Sequence, residues 1–443
     1  VSYTSQTFID AVRCAFVAAA ALAIGWPLGR LEKGRPGAKS DLVRWSLLLA
    51  PLLTPALVVS YAFAPIALRL TGQPWALAAF YSTLLIFKLC PFAALARFFF
   101  PPPLSAEARF CERLAGDRSR IERCIFLARH FGPVIGATFA VLFLFAFADF
   151  ELASLLSIKT WVVMHFDAHA GGLALADSLK RLAFPMLIEL AVWLPIVFAL
   201  KTPVGLRPEC RSEKTTSLWF TALVALPCGV WPLLFVMAQA AVGLGTLRHQ
   251  NVFAADLLVS VGFAAAATGF VWLMLGQIQS TRWRWLGALP GSLGALVLAL
   301  TILAAVQRVP LLRDSPAPLL AAHLLLLMPF ALILRGLLTA RQPSACLHLA
   351  RMAGSRRLLW ELAVLPRFAA TALLFAVAYF EFTAATILAP VGLTPVFVRL
   401  HNLAHYGQTP ALSAMLSAAV LLPAMLLALT LSGARLYARR DAR

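Results

Sequence analysis

The chain has 443 residues, 61% of them apolar and only 13% charged, with a formal net charge of +19. Several runs of about 20 or more residues carry almost no charge, which excludes an ordinary soluble globular protein. Lys and Arg crowd into short connectors between those runs, so nucleic acid is a poor explanation for the positive charge and a membrane is a good one. The seven cysteines (Cys14, Cys90, Cys111, Cys124, Cys210, Cys228 and Cys346) have no paired spacing and read as reduced residues without a metal or disulfide role.

The first apolar window, 8–30, leads into a basic connector from Arg30 to Arg44. Within it "GRPGAKS" (Gly34 to Ser40) is the nearest approach to a phosphate loop, but the spacing is not GxxxxGK[ST] and no strand precedes it. It reads as a solvated connector, so any ATP hydrolysis belongs to another subunit. Windows at 45–70 and 75–99 follow, and then a long basic connector, Arg97 to Arg129, containing "ERLAGDRSR" from Glu112 to Arg120. The window 131–157 carries "DFELASLL", with Asp149 and Glu151 inside an otherwise apolar run. Ionisable groups at membrane depth usually face a bundle interior or a wet cavity, so Asp149 is a candidate pathway residue. His165 and His169 come next, spaced to share one face of a helix; they are weak metal candidates because no third ligand is evident.

The second part of the chain repeats these features. After the window 182–200 and a connector from Lys201 to Lys214 come windows at 217–244, 252–279, 285–306 and 317–340. The connector Arg341 to Arg367 contains "ARMAGSRRL" (Ala350 to Leu358), which aligns Arg351 with Arg113, Ala353 with Ala115 and Gly354 with Gly116. The window 364–389 carries "EFTAATIL", placing Glu381 on Asp149 and Phe382 on Phe150. "HNLAHYGQ" then sets His401 and His405 on His165 and His169, as weak as metal candidates as the first pair, before a last window at 411–436. Glu189, Lys88, His323 and Arg335 have no evident match between copies and read as packing or snorkelling residues.

Eleven windows of this length predict an all-α polytopic membrane bundle, because a helix at 1.5 Å per residue covers the roughly 30 Å hydrocarbon layer. With eleven spans, most of the 38 Lys and Arg fall on one face, which marks it as cytoplasmic and puts Val1 outside and Arg443 inside. Three blocks recurring in register predict two parallel repeats, 1–205 with five spans and 206–443 with six. The first copy lacks a counterpart of the 217–244 window. Since the sequence opens on Val1 rather than Met, one further helix upstream is expected.

The two basic blocks, about 104–130 and 342–366, resemble the EAA loops of binding-protein-dependent ABC importer permeases, and the duplication resembles the fused branch that handles ferric iron, thiamine or polyamines. The position of the family's glutamate is held by Phe110 and His348, and its proline, kept as Pro366, is Ala128 in the first copy. The resemblance implies a MetI-like type I permease fold and no enzyme activity or bound cofactor in this chain. It implies a cytoplasmic ABC ATPase dimer that uses ATP, an external solute-binding protein, and a place in the bacterial plasma membrane among lipid. It also implies that Arg113, Ala115, Gly116, Arg118, Arg351, Ala353, Gly354 and Arg356 couple to the ATPase, with Asp149 and Glu381 along the solute pathway and ferric iron the favoured solute. The alternative is a major-facilitator-like secondary carrier with two parallel six-helix halves.

Overall fold

The structure, a computed structural model, describes residues 2–29, 39–99, 120–201, 217–247, 251–278, 286–341, 344–354, 356–390, 392–405, 407 and 410–440. The expected coupling residues Arg113, Ala115, Gly116 and Arg118 lie outside them, as do the side chains of Arg356 and His405. The described residues are helical, with no strand among them. Among the described residues eight helices are long and apolar enough to cross a membrane, or nine if one bent pair counts as a single span. Their outward faces carry Phe8, Val12 and Phe16 near the start of the chain and Leu223, Leu234, Leu258 and Leu273 later, all exposed. Such an apolar rind suits lipid and not water. Trp75 and Trp219, exposed near the starts of their helices, suit the interface between the two. The protein is a multi-pass helical membrane protein.

The chain folds as two compact units, residues 1–54, 63–172 and 180–232 in the first and 55–62, 173–179 and 233–443 in the second. In the first unit α1 (Tyr3–Leu28) packs against α4 (Pro74–Phe99) and α5 (Arg120–Phe147). The Ser2 hydroxyl starts α1 by accepting the Ser5 N–H at 3.2 Å. Gly25 and Gly29, one turn apart, let α1 touch α4 backbone to backbone: a Cβ at Gly25 would stand 2.3 Å from the Cys90 carbonyl oxygen. Small residues at this spacing allow helices to approach closely where lipid supplies no hydrophobic drive.

Between α1 and α4 lie α2 (Lys39–Leu53) and α3 (Ala56–Leu70), which together fill the window 45–70. They are bent by 78° rather than forming one straight span. The cause is Pro55, which has no N–H to continue the ladder, preceded by Thr54, whose hydroxyl turns back to the Ala50 carbonyl at 2.7 Å. After α5 come α6 (Glu151–Leu155), α7 (Trp161–Ala170), α8 (Leu175–Lys201) and α9 (Leu218–Ala225). A π turn at Leu226–Val230 leads from α9 to α10 (Trp231–Leu247).

In the second unit α11 (Asn251–Gln277) packs against α14 (Ala317–Arg341) and α17 (Leu365–Phe380), the same set of neighbours that α1 has. Between them α12 (Ala295–Val306) is only 12 residues long, so the window 285–306 is largely a short helix behind Gly294, whose φ of +78 suits glycine. The four residues of α13 (Pro310–Arg313) lead to α14. Next come α15 (Ser344–Met352), α16 (Arg356–Leu359), a π turn at Trp360–Val364 and α17, followed by α18 (Thr383–Leu388), α19 (Val396–His405) and α20 (Pro410–Arg440).

Candidate functional site

The windows 131–157 and 364–389 are each broken at their acid. In the first unit α5 stops at Phe147, residues 148–150 are not helical, and α6 restarts at Glu151. Asp149 holds the restart: its Oδ2 accepts the Ala153 N–H at 3.3 Å, one of the donors that a helix start leaves free. The same oxygen accepts the Tyr81 hydroxyl from α4 at 2.9 Å, and Lys88 on α4 lies within electrostatic reach. Trp161 satisfies the end that was cut, its indole N–H donating to the Phe147 carbonyl at 2.9 Å. Tyr81, Phe147, Phe150 and Trp161 are all fully buried.

A second acid anchors the helix beyond the break. Asp10 on α1, fully buried, accepts the backbone N–H of Trp161 at 2.6 Å through Oδ2. Its other oxygen meets Arg13 at 2.9 Å and Gln6 at 3.3 Å. The Arg13 guanidinium then lies over the Tyr81 ring, 5.0 Å from its centroid, so one polar chain runs from Asp10 through Arg13 and Tyr81 to Asp149. Buried ionisable groups at this depth persist where each meets a donor or an opposite charge, and here each does.

The second unit repeats the design with different chemistry. Here α17 stops at Phe380, Glu381 turns to ψ 123, and its Oε1 accepts the Ala384 N–H at 2.7 Å to start α18. The partner from α14 is His323, with Nε2 3.8 Å from Glu381 Oε2 and Nδ1 2.9 Å from the Leu319 carbonyl. The helix beyond the break is again tied to the first long helix of the unit. Ser260 on α11 accepts the Val396 N–H at 2.7 Å, and Asp256 takes the Arg399 guanidinium. The phenylalanine after each acid is buried against that later helix, Phe150 on Phe166 and Phe382 on His401, both with ring centroids 4.7 Å apart.

The histidine pairs lie on the expected helices. His165 on α7 is fully buried beside Tyr3, with ring centroids 5.8 Å apart, and His401 on α19 is buried too. Burial, with His169 and Arg181 nearby, pushes the His165 imidazole down from 6.5 to about 4, so it is neutral at neutral pH. Among the described residues no three His, Cys, Asp or Glu side chains gather as metal ligands would. The interior position of His165 gives these helices a packed face as well as an outer one.

Two further repeated blocks come from the structure. "DAVRCAFVAAA" at Asp10 to Ala20 matches "DLLVSVGFAAA" at Asp256 to Ala266, and these are the stretches that hold α7 and α19. "LCPFAALAR" (Leu89 to Arg97) matches "LMPFALILR" (Leu327 to Arg335), which corrects the reading of Arg335 as unmatched. Arg97 donates to the Trp26 carbonyl at 3.4 Å, and Arg335 donates to the Leu275 carbonyl, each near the C-terminal end of the unit's first helix. Cations suit that end of a helix. Lys88 and His323, also read as packing residues, both belong to the acid sites. Matched acids at a fixed distance before an alanine-rich run were the available signal.

Of the coupling residues, Arg351, Ala353 and Gly354 are described. The nine-residue α15 exposes Leu349, Arg351 and Met352 and buries Ala350. It ends where Gly354, at φ +62, donates its N–H to the Arg351 carbonyl at 3.1 Å. No family model matches the chain, and neither does any curated protein or solved structure.

Proposed function

We propose that this chain is the permease subunit of an ATP-driven ABC importer, carrying a small solute across a bacterial plasma membrane, with Asp149 and Glu381 as pathway residues. One observation carries the reading: α15 presents Leu349 and Met352, 63% and 73% exposed, beside Arg351 on a short helix closed by a left-handed glycine. A helix of this length is marginal in water, and exposed apolar side chains on it suit a groove in a partner. The partner is a cytoplasmic ATPase dimer, which the block from Arg113 to Arg118 engages through the first copy as Arg351, Ala353, Gly354 and Arg356 do through the second. About eleven spans in a type I permease arrangement, an external binding protein and ferric iron as the favoured solute belong to the same reading.

The test is uptake by vesicles holding this chain with a candidate ATPase and binding protein, comparing wild type with a Gly354→Val, Gly116→Val double variant. At position 354 a side chain at positive φ costs about 1–2 kcal/mol of local strain and meets no neighbouring atom, so the bundle is spared. The expected result is ATP hydrolysis without uptake. Unchanged coupling would overturn the docking role. Uptake driven by an ion gradient with no ATPase present would favour the secondary carrier.

A further inference from the structure

The His323–Glu381 pair poses a proton-counting problem that the Tyr81–Asp149 pair does not. A carbonyl oxygen only accepts, so the 2.9 Å contact between His323 Nδ1 and Leu319 O fixes the proton of a neutral imidazole on Nδ1. Nε2 is then a bare lone pair 3.8 Å from Glu381 Oε2, itself an acceptor when ionised. Oε1 is already committed to the Ala384 N–H. With no proton between them, two acceptors face each other and a largely buried carboxylate lacks a counter-charge. With two, a buried imidazolium faces a neutral acid and lacks one too. A single proton leaves neither group unmatched, whether it sits on nitrogen or oxygen.

Among the described residues no other ionisable side chain relieves the pair, although the backbone N–H groups of Thr383, Ala384 and Ala385 lie beside the Glu381 carboxylate. Phe263 on α11 lies against the imidazole, its ring centroid 6.3 Å away and nearly parallel. The ionisable Asp256 on α11 is held by Arg399, and Tyr379 on α17 donates its hydroxyl to the Ala419 carbonyl at 3.0 Å. Arg367 is at the far end of α17, Arg313 on α13 is exposed, and Arg335 on α14 donates to Leu275. Neither α12, α18 nor the 290–292 turn contains a titratable side chain. In the first unit the acid receives a hydroxyl proton that stays covalently on Tyr81, and Lys88 is in reach.

We propose that His323 and Glu381 form a binding site for one exchangeable proton at the second helix break. Because Glu381 also starts α18, the site ties the charge at the break to its geometry. A displacement of about 1 Å closes the present gap to an ordinary N–H···O distance. The site holds whether solute movement is powered by ATP or by a gradient, so it is independent of the importer reading.

The experiment locates protons in the purified full-length chain at neutral pH. Nitrogen NMR of labelled histidine reads His323, assigned among the eight histidines by loss of its signal in His323→Gln. Infrared spectroscopy reads a protonated Glu381 as a carboxyl carbonyl band absent from Glu381→Gln. The expected result is one proton: an imidazolium with an ionised Glu381, or a neutral imidazole protonated on Nδ1 with a protonated Glu381. A neutral imidazole with an ionised acid, an imidazolium with a protonated acid, or a neutral imidazole protonated on Nε2 would each overturn the proposal. Both variants retain the size and polarity of the originals, and the wild-type spectra decide the count if either assigns its signal.

Discussion

The two helix breaks are built alike and supplied differently. Each acid starts a short helix by capping it, Asp149 through the Ala153 N–H and Glu381 through the Ala384 N–H, and each takes a partner from the long helix carrying the Pro-Phe motif. The partner is a phenol in the first unit and an imidazole in the second, placed one helical turn apart when the motifs are aligned. Leu319, the counterpart of Tyr81, contributes only its carbonyl to His323. The backbone break is the same in both units, while the partner is a hydroxyl in one and an imidazole, able to donate or accept at either nitrogen, in the other.

Removing the anchors should expose the largest difference. Asp10→Ala strips the largely buried Arg13 of its carboxylate, leaving it the Tyr81 ring alone, and takes the acceptor from the Trp161 N–H, and is expected to cost about 3–5 kcal/mol. Ser260→Ala removes one neutral acceptor from Val396 while Asp256 still holds Arg399, and is expected to cost about 1–3 kcal/mol. Unfolding in detergent, followed by denaturant or heat, measures both, and equal losses would remove the distinction between the units. Within the first break, Tyr81→Phe leaves the Asp149 carboxylate without its hydroxyl donor, for an expected loss of about 1.5–3 kcal/mol.

A further effect concerns acid and is absent at neutral pH. His165 is held neutral in the fold down to about 4 but protonates at its ordinary 6.5 when unfolded. Between those values the unfolded chain binds the extra proton, so stability falls as pH drops from 6.5 toward 4. His165→Gln should flatten that segment of a melting-temperature profile against pH, whereas an unchanged slope would assign the acid sensitivity elsewhere.

The acids were legible in the sequence because a charge in an apolar run stands out, and the second copy put Glu381 in register with Asp149. The breaks beside them were not. Ala148, Phe150 and Phe382 are as apolar as any helical neighbour, and the cap by which each acid starts the next helix is visible only in three dimensions. His323 was read as a packing residue because its counterpart is Leu85, so matching by position hid a match by function one turn away. Arg335 was read as unmatched and Asp256 was missed for a related reason: each is a single polar residue in a run of apolar ones. The bend between α2 and α3 was signalled by Pro55, although composition alone did not give its size. The second basic block, recognised in the sequence by its match to the first, contains the short helix α15 ended by Gly354.

The glycine contact between α1 and α4 limits how the first unit can deform. With the carbonyl of Cys90 in the space a methyl group would fill at position 25, and that of Ala94 2.5 Å from a Cβ at position 29, there is no side-chain layer to act as a lubricant. Sliding or rolling would drive backbone into backbone, so the two rods behave as one girder carrying Asp10, Arg13 and Tyr81 together. Through Tyr81 that girder meets Asp149 at the unwound residues 148–150, so a cross-link across this joint would fix α6 to it with the fold intact.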